Sequence, residues 1–239
     1  MRRLTLSLFS SLIGILLLTL AQSSALLVTN AAPTPQPIAV DPAALHALHA
    51  RYKSLAKQLV QLMPGQPYIV VDTARNHLYI KRRDRVMLDA LASTGSGTIL
   101  DKPGEAKGQW IFDTPRGEFL VKSKLTNPTW IKPDWAFIEE GLPIPSRTHP
   151  DRFDETAMGS FAMDFGDGYF IHGTLYRRLL GESITHGCVR VADPVALAEW
   201  VLRDRPEWDR ERIVDATSGS QTMHVPLARP IRVVFFYMT

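Results

Sequence analysis

The sequence predicts a mainly β domain with a few helices, preceded by one N-terminal helix. Three observations carry this. From Pro67 onward the apolar residues fall in short runs of period two, rich in β-branched and aromatic types, as in Tyr68-Ile69-Val70-Val71 and Leu78-Tyr79-Ile80. The 239 residues include 15 Gly and 17 Pro, more than a helical bundle needs. Helical periodicity is confined to two stretches, one before Pro64 and one after Asp193.

Taken in order, Met1-Arg2-Arg3 is a basic start, and no residue from Leu4 to Val40 is charged. Residues 1–25 therefore read as a signal peptide or a membrane anchor. Ser23-Ser24-Ala25 offers a cleavage site, while Leu26-Leu27-Val28 prolongs the apolar run towards spanning length. Both readings put the rest of the chain outside the cytoplasm. Residues 26–40 form a Pro-rich linker. Asp41-Pro42 then caps an amphipathic helix over 41–63, with Leu45, Leu48, Tyr52, Leu55, Leu59 and Leu62 spaced 3, 4, 3, 4, 3 and a stop at Pro64-Gly65. That seam suits a dimerising coiled coil or a helix packed on its own domain. Its short length favours the second.

A single domain over 67–239 follows. Strands are expected at 68–71, 78–80 and 86–92, and again at 118–122, 160–165, 169–172 and 231–237, with Gly166-Asp167-Gly168 as a hairpin turn. One helix starts at Asp193-Pro194, its apolar face formed by Val195, Ala198, Val201 and Leu202.

Charge excludes little but is useful. Lys plus Arg number 27 and Asp plus Glu 24. Without Arg2 and Arg3 the balance is nearly neutral, which argues against nucleic acid as a partner. The cluster Lys81-Arg82-Arg83-Asp84-Arg85 reads as a solvated turn. Gly95-Ser96-Gly97 lacks the following Gly-Lys-Ser/Thr of a phosphate loop.

The chemistry concentrates between Ile171 and Arg190, which hold the chain's single cysteine, Cys188, and two of its seven histidines. A thiol attacks carbonyls as thiolate and needs a base or a positive neighbour. His186 lies two residues before Cys188, and His172, at a strand end, sixteen before it. Gly187 lets the backbone turn so that main-chain N–H groups can converge as an oxyanion hole. On spacing alone, Cys188 is equally a buried structural residue. A zinc site built from His172, His186 and Cys188 is disfavoured, since neither a paired Cys-x-x-Cys nor a His-Glu-x-x-His helix accompanies them.

Thr185-His186-Gly187-Cys188-Val189-Arg190, with His172-Gly173-Thr174 upstream, resembles the signature of the L,D-transpeptidase catalytic domains of bacterial cell-wall synthesis. Further stretches match in order: Ile69 to Asp72 with Leu78-Tyr79, Ser93-Thr94-Gly95, Thr114-Pro115-Arg116-Gly117-Glu118-Phe119, and Asn127-Pro128-Thr129-Trp130. The resemblance implies a β-sandwich-like catalytic domain and a peptidoglycan stem-peptide substrate. Cys188 would be the nucleophile and His172 its base, oriented by the Gly173 carbonyl. His186 would shape the loop and help polarise the thiol, Thr185 would shape the loop with it, the N–H groups of Gly187 and Cys188 would bind the oxyanion, and Arg190 would support the loop or meet a substrate carboxylate. No metal or organic cofactor is implied, and carbapenems would be expected to acylate the thiol. Water or a lipoprotein lysine could replace the stem amine as acceptor, and a non-catalytic wall-binding module is the remaining alternative.

Overall fold

The computed structural model describes residues 41–104 and 108–237. The expected signal or anchor (1–25) and linker (26–40) lie outside them. The chain divides into two compact units, residues 1–51 and 52–239.

Helix α1 (Pro42–Leu62) runs as predicted, with the Asp41 carboxylate accepting from the N–H of Ala43 at 3.0 Å. No residue of α1 is buried, and Leu48 and Leu62 are 65% and 83% exposed. The connector after the helix is what meets the β structure: Arg83 N–H donates to the Pro64 carbonyl and Arg82 Nε to the Gly65 carbonyl.

The β domain opens with β1 (Tyr68–Asp72), β2 (His77–Arg82) and β3 (Arg85–Gly95), a meander turning at Asn76 and Arg83, both at φ 54°. A small hairpin follows, β4 (Ile99–Asp101) with β5 (Gln109–Ile111), and then the long β6 (Gly117–Thr126). Next come β7 (Trp130–Ile131), α2 (Asp134–Glu139) and β8 (Phe153–Asp154), with β7 and β8 paired. The chain returns as β9 (Phe161–Gly166) and β10 (Tyr169–His172), joined at the predicted Gly166-Asp167-Gly168 turn. It ends with β11 (Ser183–Thr185), β12 (Val189–Val191), α3 (Pro194–Leu202), α4 (Arg210–Ser218) and β13 (Met223–Phe236).

Nine strands form one sheet in the order β11-β3-β12-β10-β9-β6-β13-β1-β2, and β2 also pairs with β3. The sheet therefore folds back on itself around one core, the mainly β, sandwich-like arrangement expected. The parallel pairs, β1 with β13, β10 with β12 and β11 with β3, each join strands distant in sequence. Val71, Leu78, Val121, Phe161, Ile171 and Val233 fill the centre. Against it α3 packs Leu197, Ala198, Val201 and Leu202, with Asp193 capping the N–H of Ala196 at 2.9 Å. Leu197 takes the buried place expected of Val195, which is only partly covered.

Among the described buried polar side chains, one lacks a polar partner. Lys124, on β6, is fully buried, and its Nζ has no hydrogen-bond partner among the described residues. The ammonium sits 5.2 Å from the Phe161 ring centre and 4.8 Å from that of Trp208. Ring quadrupoles attract a cation but replace only part of its hydration. Burial accordingly lowers its pKa from 10.5 to about 8. Below pH 8 the charge is retained at a cost, so wild-type stability should rise as pH increases from 8 to 10.5. Lys124→Met, which keeps the length of the chain without the charge, is expected to raise the unfolding free energy at pH 7 by about 1–3 kcal/mol and to flatten that rise. Denaturant titrations at pH 7 and pH 10 check this; a destabilised variant would contradict it.

Candidate active site

The site begins with the ladder between β10 and β12. Their parallel register pairs Ile171 with Val189 and His172 with Arg190. Cys188, just ahead of β12, therefore lies beside Phe170, whose N–H donates to Sγ at 3.4 Å. Phe170 and His172 project on the same face of β10, because strand side chains alternate. His172 and Cys188, sixteen apart in sequence, thus lie two register positions apart along one ladder. No hydrogen bond links the imidazole to the sulfur among the described residues.

The turn from β11 into Cys188 is held from two sides. Gly187 adopts φ +109°, and a Cβ there would lie 2.3 Å from Tyr169 Cε1 and 2.8 Å from the Asp113 carbonyl, so only glycine fits. Its carbonyl accepts from Thr114 Oγ1 at 2.9 Å, and that hydroxyl accepts from the N–H of Gly95 at 2.8 Å. Thr185 Oγ1 donates to the Cys188 carbonyl at 2.5 Å and accepts from Gly187 N–H at 3.2 Å. The turn thereby directs the Gly187 N–H back to Thr185. Of the two expected oxyanion donors, the N–H of Cys188 is the one without an acceptor among the described residues.

His172 is 5% exposed, and its Nδ1 lies 2.6 Å from the Gly173 carbonyl. A carbonyl only accepts, so the proton sits on Nδ1 and Nε2 keeps its lone pair. Burial lowers the imidazole pKa from 6.5 to about 4, the Arg190 charge acting the same way and the Gly173 and Met158 carbonyls opposing it. Burial also pushes the Cys188 thiol up to about 11, although the residue keeps some exposed surface. The Phe170 N–H and Arg190 pull it down, and Asp164 pushes it further up. The resting pair is therefore thiol and neutral imidazole.

Residues 66–217 match the family model of the YkuD L,D-transpeptidase catalytic domain. The chain belongs to this family. It is 30% identical over 130 residues to YqjB of Bacillus subtilis (strain 168), whose name places it among the L,D-transpeptidases. That match covers 54% of this chain and 61% of YqjB, so the chain spans about three fifths of its relative's length. Among solved structures, an L,D-transpeptidase from Xylanimonas cellulosilytica aligns at a TM-score of 0.41 and 20% identity, covering 82% of this chain and 71% of that one. The catalytic domain of the Enterococcus faecium (E. faecium) L,D-transpeptidase aligns at 0.40 and 17%, covering 72% and 98%.

Within this L,D-transpeptidase domain, the structure brings together Cys188, His172, Gly173, Thr185, Gly187 and Arg190. Arg190 is half-buried, and its guanidinium makes no hydrogen bond among the described residues, which leaves it open to an anionic ligand. His186 turns elsewhere. Its Nε2 lies 2.7 Å from Glu139 Oε2, its ring stacks on Trp135 at 4.2 Å and 20°, and Phe112 meets it edge-on at 4.4 Å. With Nε2 occupied by Glu139, polarising the thiol is not its visible role. His172, His186 and Cys188 form no metal-ligand cluster among the described residues.

A groove of about 460 Å³ lined by Trp110, Trp135, Lys132 and Arg147 adjoins the His186 stack. A larger hollow of about 670 Å³, near Asp151 and Phe153, contains none of the expected site residues. Sequence reasoning missed Thr114, Trp135 and Glu139 as site residues. Thr114 was visible within a matching motif, whereas Glu139 had no signal.

The depressed imidazole sets a pH window. Between pH 6.5 and 4 the unfolded chain binds a proton on His172 that the folded chain resists. Stability contributed by this group is complete above pH 6.5 and is lost as pH falls towards 4, by about 3 kcal/mol in total. His172→Gln should lose this component, so the difference in unfolding free energy between wild type and variant should change across pH 4–6.5 and stay constant above it. A difference independent of pH would contradict the buried neutral imidazole.

Proposed function

We propose that the protein is a peptidoglycan L,D-transpeptidase that uses Cys188 as its nucleophile and works in the cell envelope. The observation that supports this reading is the parallel ladder that pairs His172 with Arg190, two residues after the chain's single thiol, together with the buried imidazole's Nδ1 proton held by the Gly173 carbonyl. The Gly173 carbonyl does for His172 what a carboxylate does in other triads: it fixes tautomer and orientation. Export is supported by the basic start and the uncharged run from Leu4 to Val40. Among the described residues no helix is long and apolar enough to cross a membrane.

In the first half-reaction His172 Nε2 takes the proton from Sγ as sulfur attacks the carbonyl of the third residue in a tetrapeptide stem. The C–S bond forms and the carbonyl oxygen becomes an oxyanion, facing the Cys188 N–H. The imidazolium returns its proton to the departing nitrogen, the C–N bond breaks, D-Ala leaves, and a thioester remains. In the second half-reaction the side-chain amine of a neighbouring stem attacks the thioester. Its proton passes to His172, sulfur leaves as thiolate and is reprotonated, and a 3→3 cross-link results. Arg190 would hold a stem carboxylate during both steps. A neutral resting pair suits this scheme, since proton transfer is called on only when a carbonyl is in reach. Carbapenems, as activated acyl donors, would be captured by the same sulfur.

Mass spectrometry after incubation with a disaccharide-tetrapeptide tests the reading. Wild type should release D-Ala, show a thioester mass on Cys188 and form a cross-linked dimer. Cys188→Ala should fold and lose at least about a thousandfold in rate. Tripeptide without dimer would make the protein a carboxypeptidase, and unchanged muropeptide with retained binding would make it a wall-binding module. Activity retained in Cys188→Ala would overturn the nucleophile assignment.

A further inference from the structure

Glu139 closes α2 and stands 47 residues before His186, yet the two side chains meet at 2.7 Å. The segment that carries α2 is a built platform. Arg152, 5% exposed, donates from Nη2 to Asp134 Oδ1 at 2.7 Å, from Nη1 to the Lys132 carbonyl at 2.9 Å, and to the carbonyls of Pro145 and Ser146. Its guanidinium also lies over the Phe137 ring at 5.2 Å. This fixes both ends of the segment, and α2 presents Trp135 and Glu139 to one imidazole.

That imidazole belongs to the residue between Thr185 and Gly187. Thr185 and Thr114 restrain the loop through the carbonyls of Cys188 and Gly187, the two residues that follow His186. The His186 side chain supplies a third restraint, from a different part of the fold: a charge-assisted hydrogen bond to Glu139, a stack on Trp135 and an edge contact with Phe112. A loop whose N–H groups must face a developing oxyanion loses rate when it is misplaced by even about 1 Å.

We propose that Glu139 is a positioning residue for the catalytic loop: by accepting from His186 Nε2 it pins the imidazole between Trp135 and Phe112, and so fixes the backbone that presents Cys188 and its N–H to the reacting carbonyl. This rests on Cys188 being the nucleophile. The effect belongs to the transition state, because the oxyanion exists only there; its loss lowers kcat and leaves KM nearly unchanged. It works through a hydrogen bond, so an amide oxygen can replace the carboxylate.

The test uses the whole protein and a disaccharide-tetrapeptide donor, with acylation followed by intact-protein mass spectrometry. Glu139→Ala is expected to lower kcat about tenfold or more, with KM within about twofold of wild type. Glu139→Gln, which retains an acceptor, is expected to stay within about threefold of wild type in kcat. In proton NMR the His186 ring signals should be shifted by the Trp135 stack in wild type and Glu139→Gln, and move towards unstacked values in Glu139→Ala. Asp89→Ala, which removes a comparable His–Asp pair at 2.7 Å between β2 and β3, should leave kcat unaltered. Full kcat in Glu139→Ala, or an equal loss in Ala and Gln variants, would overturn the positioning role. Absence of any wild-type adduct on Cys188 would instead overturn the nucleophile assignment.

Discussion

The parallel ladder between β10 and β12 is the constraint on which the site depends. Neither strand is long, with four residues in one and three in the other, and neither could persist alone. They are held because β9 flanks β10 and β3 flanks β12 inside a sheet that closes through β2 and β3. A slip of one residue in this ladder would take His172 out of register with Arg190 and move Cys188 away from the Phe170 N–H that its sulfur accepts. The glycine turn at Gly187 and the hydroxyls of Thr114 and Thr185 then set where Cys188 enters the ladder. The fold thus supplies two things at once, a rigid register and a buried setting.

The buried setting decides the electrostatics. Low polarity penalises both charged forms, raising the thiol and lowering the imidazole. Arg190 favours the thiolate but disfavours the imidazolium, so it does not by itself create an ion pair. A site with both groups neutral is inert towards solvent. Lys124 shows the same physics in the core, where two aromatic faces hold a cation without a hydrogen bond.

Much of this was legible in the sequence, for identifiable reasons. β1, β2, β9 and β10 alternate or run apolar between turn residues, and the Asp41 and Asp193 caps mark α1 and α3. Cys188 and His172 stood out because the thiol is unique and the motif around it is dense. β13 was seen only in its second half, since Pro226 and Pro230 interrupt its strand pattern and the ladder shifts register between Pro226 and Ile231. β11 and β12 have three residues each and owe their form to partners far away in the chain. The apolar periodicity of the α1 seam predicts a covered face without saying what covers it. Glu139 was invisible for a related reason: its meaning arises only where α2 meets His186.

A neutral thiol–imidazole pair, held by the β10–β12 ladder, is the central claim. It is tested most directly by the rate at which iodoacetamide alkylates Cys188 between pH 5 and pH 10, read by intact-protein mass, since no other thiol competes. With the thiol near 11, the rate should climb about tenfold per pH unit across the whole range without levelling off. A plateau reached below pH 7 would mean a resting thiolate–imidazolium pair and would contradict the account.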